Sequence, residues 1–179
     1  LPDEPIQQIY YGAPGTGKSY KVNQVLKESD SICTTFHPDS DYSTFVGAYK
    51  PIIEPRPRYG LNQKETVSLK DATGNQLMEE VITYKFVPQA FIKAYLKAWK
   101  LMAEAKESGE SPKPFYLVIE EINRGNCAQI FGDLFQLLDR SRNGFSSYEI
   151  VPDSDIQKFL KEDNELGFGK GLQVSDVVN

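Results

Sequence analysis

The sequence predicts an α/β domain built on a parallel sheet, with flanking helices and an inserted β-hairpin. Three observations predict it. A strand, a glycine-rich loop, a helix and a second strand follow one another over residues 6–36, the opening of a parallel α/β domain. The most apolar strand, Phe115–Ile119, lies between two helical stretches, as a central parallel strand does. Between them, residues 37–87 lose helical periodicity and carry prolines and strand-like runs.

The elements read as follows. Ile6–Tyr11 is rich in Ile and Tyr and predicts a strand. Glycines at 12, 15 and 17 cannot continue it. Lys18–Glu28 predicts a helix with Tyr20, Val22, Val25 and Leu26 on its inner side. Ile32–Phe36 is apolar and β-branched, a second strand. Tyr42–Val46 has room for one helical turn, and Pro51, Pro55 and Pro57 break anything longer. Lys50, Arg56 and Arg58 then lie in an irregular basic loop. Gln63–Leu69 and Leu77–Val87 alternate like strands, and the turn chemistry of Asp71–Gly74 joins them as a hairpin at 63–87.

Pro88 suits a first helical turn. Phe91, Tyr95, Ala98 and Met102, with Ile92, Leu96 and Trp99, then repeat at three and four to about Lys106. Such a stripe is a core face. After Phe115–Ile119, Asn126 can cap the next helix, with Gln129 completing a capping box. Ile130, Leu134, Leu137 and Leu138 continue that helix. Tyr148–Val151 predicts a short strand, and Pro152–Asp155 the start of a helix carrying Ile156, Phe159 and Leu160. Gly167–Gly171 reads as a flexible link.

Composition bounds the function. The 179 residues make one domain, with residues 37–87 as an insertion. Apolar residues are 40% and charged residues 25%, ordinary for a globular chain, which excludes a fibrous or wholly disordered protein. The formal charge of -5 excludes an all-over affinity for nucleic acid and leaves room for a local basic patch. No apolar run is long enough to span a bilayer and no secretory signal opens the chain, so the expectation is a cytoplasmic protein with no membrane partner. Cys33 and Cys127 have neither CxxC nor zinc spacing and read as buried core thiols.

One motif carries chemistry by itself. Gly12-Ala13-Pro14-Gly15-Thr16-Gly17-Lys18-Ser19 fits GxxxxGK[ST] at every fixed position. Its glycines let backbone N–H groups face inward as a nest for phosphate oxygens. The following helix points its positive end at the same place. Lys18 would reach the outer phosphates, Ser19 would hold Mg²⁺, and Tyr20 extends the cofactor-binding stretch. The expected cofactor is Mg²⁺, with GTP or ATP as substrate.

The partner is Leu117-Val-Ile-Glu-Glu121. A phosphate-binding loop of this kind works with a carboxylate at the end of a neighbouring strand, which holds Mg²⁺. A second carboxylate can polarise the attacking water. Glu120 is the expected metal-side acid and Glu121, with Lys18, the expected catalytic pair. Asn123 and Arg124 follow, where a charged side chain could face a neighbouring subunit or nucleic acid. His37, the sole histidine, reads as a hydrogen-bonded structural residue before a general base.

On these residues the chain resembles the AAA+ NTPase core of the McrB subunit of modified-cytosine restriction systems. The marks are the glycine loop, Thr35-Phe-His-Pro-Asp-Ser-Asp-Tyr-Ser-Thr-Phe-Val-Gly47, Glu121-Ile-Asn-Arg-Gly-Asn126 and Ile130-Phe-Gly-Asp-Leu134. The resemblance covers about residues 6–142. It implies a P-loop (AAA+) fold and a Mg²⁺-dependent NTPase motor. It also implies a homo-hexameric parent working with DNA and an McrC-like endonuclease, and a monomeric state for this stretch alone. Glu120 and Glu121 take the Walker B place, and Asn123 and Arg124 become an intersubunit or partner element. The family carries aspartate where this chain has Glu120. No sensor segment, arginine finger or helical lid follows, so the expectation is a fragment incomplete at its C-terminal end.

Two other readings stand beside this one. The first is an AAA+ remodelling ATPase of the dynein-related or MoxR-like type, which DNA-stimulated hydrolysis would discriminate. The second is a nucleotide-gated assembly module that associates without appreciable hydrolysis. The inserted hairpin is expected to meet DNA, the nuclease partner or the next subunit.

Overall fold

The structure is a computed structural model that describes residues 7–26, 29–62, 65–141 and 146–162. These residues form a mixed α/β fold with a parallel strand pair, an antiparallel strand pair and flanking helices. Two compact units are present, one over residues 49–87 and the other comprising the remainder.

In the larger unit the glycine loop runs into helix α1 (Lys18–Leu26). Strand β1 (Ser31–Thr35) pairs in parallel with β6 (Tyr116–Glu120), in register from Ser31 opposite Tyr116 to Thr35 opposite Glu120. Helix α3 (Ala90–Ser108) packs on both strands. This is a strand–helix–strand crossover, the connection a parallel pair requires. Ile92 and Leu96 are the inner face of α3, with Ala94 and Ala105. The parallel stripe expected to share that face does not: Phe91 and Tyr95 are half-buried, and Ala98 and Met102 are exposed. Gly109 in the left-handed region (φ 72) ends the helix, its N–H donating to Ala105 O.

The core lies where β1 ends. Phe36, Phe45 and Phe131 make mutual edge-on contacts, with ring centroids 5.1 to 5.8 Å apart. Phe45 comes from α2 (Tyr42–Phe45), one turn held by a full capping box between Asp41 and Thr44. Phe131 ends α4 (Cys127–Phe131), which Asn126 caps by accepting from Gln129 N. The longer helix expected from Ile130 to Leu138 is broken. Gly132 adopts φ 51, ψ -132, and residues 132–138 tighten into a 3-10 helix. Helix α5 (Ser154–Glu162) buries Ile156 and Leu160, and Asp153 accepts from Ile156 N at its start.

Two expected strands are not strands. Residues 7–11 form no strand, with Ile9 and Tyr11 exposed; Ile6 lies outside the described residues. Tyr148–Val151 is irregular, with Tyr148 and Val151 exposed, after the isolated bridge between Arg140 and Ser146. β-propensity is largely cross-strand packing, and neither segment has it. Only Val22 and Leu26 of the expected inner side of α1 are half-buried; Tyr20 and Val25 are exposed. The expected link at Gly167–Gly171 lies outside the described residues.

The smaller unit differs from the expected hairpin. Strand β2 (Gly47–Pro57) pairs with β5 (Met78–Pro88), and β3 (Tyr59–Asn62) pairs antiparallel with β4 (Glu65–Ser68). So the run before Asp71–Gly74 pairs backwards with β3, and the run after it pairs with β2. The expected turn survives as one bridge between Lys70 and Gln76, organised by Asp71 accepting from Thr73 and Asn75. The basic loop is a strand despite Pro51, Pro55 and Pro57. Backbone N–H groups alternate sides along a strand, so prolines at odd positions all aim their missing donors at one edge. Residues 58, 69 and 77 close a ring of three backbone hydrogen bonds, each 2.8 Å. Glu54 accepts from Thr83 and pairs with Lys85, and Arg58 lies 4.0 Å from Glu79.

Candidate functional site

The glycine loop is built by conformation rather than by packing. Gly12, Gly15 and Gly17 have φ of 148, 79 and 80, values that favour glycine. A Cβ at Gly15 or Gly17 would meet nothing within 4 Å, so backbone geometry and not space demands glycine there. Thr16 Oγ1 donates to Ala13 O at 2.8 Å and tightens the turn after Pro14. Gly17 O accepts the helical bond from Lys21 N at 3.0 Å, so α1 grows straight out of the loop. Lys18 folds back, its Nζ donating to Gly12 O at 2.8 Å and Ala13 O at 2.9 Å. Ser19 and Tyr20 are exposed on the first turn. A hollow of about 260 Å³ is lined by Tyr10, Tyr11, Gly12, Thr16, Lys18 and Lys21. Tyr10, Tyr11 and Lys21 were not singled out in sequence. The signal for Lys21 was its place one helical turn after Lys18.

The acidic pair closes β6. Glu120 stands opposite Thr35 in the register, and its carbonyl accepts from Phe36 N at 3.0 Å. The next residue leaves the sheet sharply. Glu121 has φ 53, ψ 39, and it is the one non-glycine residue with positive φ among the described residues. Its carbonyl accepts from Arg124 N at 2.9 Å, and its carboxylate Oε2 lies 3.2 Å from Arg124 Nε. Asn123 is exposed on the same short turn. Gly125 then drops the chain onto the core. Its backbone is extended, yet a Cβ there would press on Ile130 and Phe36, so this glycine is needed for space.

Among the described residues, no hydrogen bond or ion pair joins Lys18 or Ser19 to Glu120 or Glu121. Nor does any group of three or more His, Cys, Asp and Glu gather as a metal cluster among them. The thiols expected in the core are not there. Cys33 is exposed on β1 and Cys127 is half-buried at the start of α4. Desolvation, and then the Glu120 carboxylate, raise the Cys33 thiol above its ordinary range. The His37 ring is exposed. Its backbone makes the local bonds, donating to Ser40 Oγ at 2.9 Å and accepting from Ser40 N at 3.0 Å. The Asp41 carboxyl is held below its usual range by Ser43 and then by the Thr44 N–H. No helix among the described residues is long and apolar enough to cross a membrane.

The chain is 39% identical over 162 residues to component YdiS of the type II restriction enzyme BsuMI from Bacillus subtilis (strain 168). The chain is similar to a restriction-system protein. The match takes in 87% of this chain and 44% of that protein, so the chain spans less than half the length of the relative. No family profile matches the chain.

Proposed function

We propose that the chain is the nucleotide-binding core of an NTPase, the AAA+ motor of a restriction system of the McrB type. The observation that carries the reading is the loop at 12–17. A sequence of the GxxxxGK[ST] form adopts three positive-φ glycines and runs directly into a nine-residue helix at Lys18. Two further facts support it. A pair of carboxylates closes β6, the second on a left-handed backbone, as residues at functional sites often are. The similar protein belongs to a restriction enzyme.

The residues fit a magnesium-bound nucleoside triphosphate. Mg²⁺ takes hard oxygen ligands and, on phosphates, needs one or two from protein rather than a cage. Ser19 Oγ and the Glu120 carboxylate are such donors. When bound, the ion would neutralise charge on the phosphates and the leaving oxygen. The open space beside Gly15 and Gly17 leaves room for phosphate against the backbone N–H groups.

In the proposed reaction Lys18 and the loop N–H groups hold the outer phosphates and stabilise the charge that develops on them. Glu121 takes a proton from the attacking water. The bond from water oxygen to the γ-phosphorus forms, and the bond from that phosphorus to the bridging oxygen breaks. The nucleoside diphosphate leaves with the electron pair. The hydrolysis would drive rearrangement of a homo-hexamer on DNA, with an McrC-like endonuclease as partner.

Calorimetry with GTP and with ATP, each with and without Mg²⁺, tests the reading on the native-length protein and on Lys18→Ala. Binding that Lys18→Ala abolishes is the expected result. Tight GTP binding with little for ATP carries the McrB likeness down to the base. Tight ATP binding keeps the site and moves the protein toward a general AAA+ motor. No binding of either nucleotide by the native-length protein refutes the proposal.

A further inference from the structure

Glu121 is held by more than its place at the end of a strand. A glutamate at φ 53, ψ 39 is uncommon, and persists only where its surroundings hold it. Both sides of the turn are anchored. Before it, Glu120 O accepts from Phe36 N, a residue of the aromatic core. After it, Gly125 is seated so closely on Ile130 and Phe36 that no Cβ fits. Within the turn one residue touches Glu121 twice. Arg124 donates its backbone N–H to the Glu121 carbonyl and brings Nε to 3.2 Å from Oε2.

That arrangement sets the arginine against carboxylate oxygen Oε2. A general base needs one oxygen, and the usual activated arrangement orients the base by a third group. An unrestrained glutamate at half exposure would sample many rotamers. We infer that Arg124 is a positioning residue for Glu121, acting within its own chain to aim the carboxylate at the water it deprotonates. The inference rests on the reading of Glu121 as the base. It gives Arg124 a task distinct from a contact with a neighbouring subunit.

The pair is more than half exposed on both sides, 58% and 51%, so it adds little to folding. Stability and positioning are therefore separable. The test is a double-mutant cycle in the native-length protein, with Arg124→Gln, Glu121→Gln and the double variant. Steady-state and single-turnover hydrolysis of magnesium-bound GTP and ATP is read beside nucleotide Kd and Tm. Arg124→Gln is expected to lower kcat by about tenfold or more, the cost of a misaimed group, with Kd and Tm unchanged. Arg124→Lys should recover part of the loss, since an ammonium can reach Oε2 without the planar fork. In the Glu121→Gln background the same substitution should cost less than about twofold, because residues acting as a unit are not additive.

Equal losses in both backgrounds would overturn the inference and point to a target other than Glu121. So would an unchanged kcat for Arg124→Gln beside an inactive Glu121→Gln, which leaves the base intact. A Glu121→Gln protein hydrolysing at the normal rate would remove the base and its positioning together.

Discussion

Gly125 couples the acidic turn to the hydrophobic core, and a size-compensation experiment measures that coupling. Gly125→Ala adds one methyl. Its Cβ would fall closer to Ile130 Cδ1 than the 3.0 Å that real Cβ atoms keep, and 3.2 and 3.3 Å from Phe36 Cβ and Cδ2. Ile130 is fully buried and Phe36 is 1% exposed, so neither can swing into solvent. Overpacking of this kind costs about 1–3 kcal/mol, or a fall in Tm of roughly 3–10 °C for a chain of this size. The backbone conformation is ordinary at φ -93, ψ 157, so strain adds nothing. Ile130→Val removes the clashing Cδ1 and by itself costs about 0.5–1.5 kcal/mol. The double variant should then be more stable than the sum of the singles predicts, by at least about 0.5 kcal/mol. Urea unfolding followed by the fluorescence of Trp99, the chain's single tryptophan, reports on the larger unit. Additive losses would refute the packing argument, as would a Gly125→Ala protein of unaltered stability.

Three further outcomes are expected. Glu121→Gln should keep nucleotide affinity and lose turnover, measured by calorimetry beside phosphate release; retained turnover removes Glu121 from the chemistry. Asp41→Asn should lower Tm at neutral pH and not at acid pH. Hydrogen bonds from Ser43 and the Thr44 N–H hold the Asp41 carboxyl below the ordinary aspartate range, so its contribution is present above that range and is lost as pH falls through the lower folded pKa. A Tm difference that does not shrink on acidification contradicts that assignment. Excision of residues 49–87 behind a short glycine turn should leave the larger unit folded. Gln89 N donates to Val46 O at 3.0 Å, so the two exits stand side by side. Far-UV circular dichroism and a cooperative melt check the fold. The excised protein should then lose DNA binding, partner activation or assembly; a shortened protein that keeps all three has a dispensable insertion.

Helices were the most legible part of the fold, because their signals are local. Asn126 with Gln129 and Asp153 before Ile156 each mark a start that the backbone follows. The pairing of β1 with β6 was legible at one remove, since apolar runs separated by a helix must cross over to pair in parallel. The smaller unit was misread because strand pairing is non-local. Asp71–Gly74 has the chemistry of a hairpin turn, yet β4 bonds to β3 and β5 to β2. Three prolines argued for a loop, and only their shared parity allowed a strand. Cys33 shows the same limit. Strand alternation says that a residue faces one side, not which side is covered.

The glycine conformations of the loop followed from residue chemistry alone. Only glycine adopts φ near 80 without strain, and the motif places glycines where those angles occur. The two acids were likewise legible as the end of an apolar strand. Their setting was not. Nothing in Glu121-Ile-Asn-Arg-Gly-Asn126 announces a left-handed glutamate, an arginine folded onto its carboxylate, or a glycine required by Phe36, far earlier in the chain. Those features arise where β6, α4 and the Phe36 cluster meet, because close packing leaves a single route for the backbone between them.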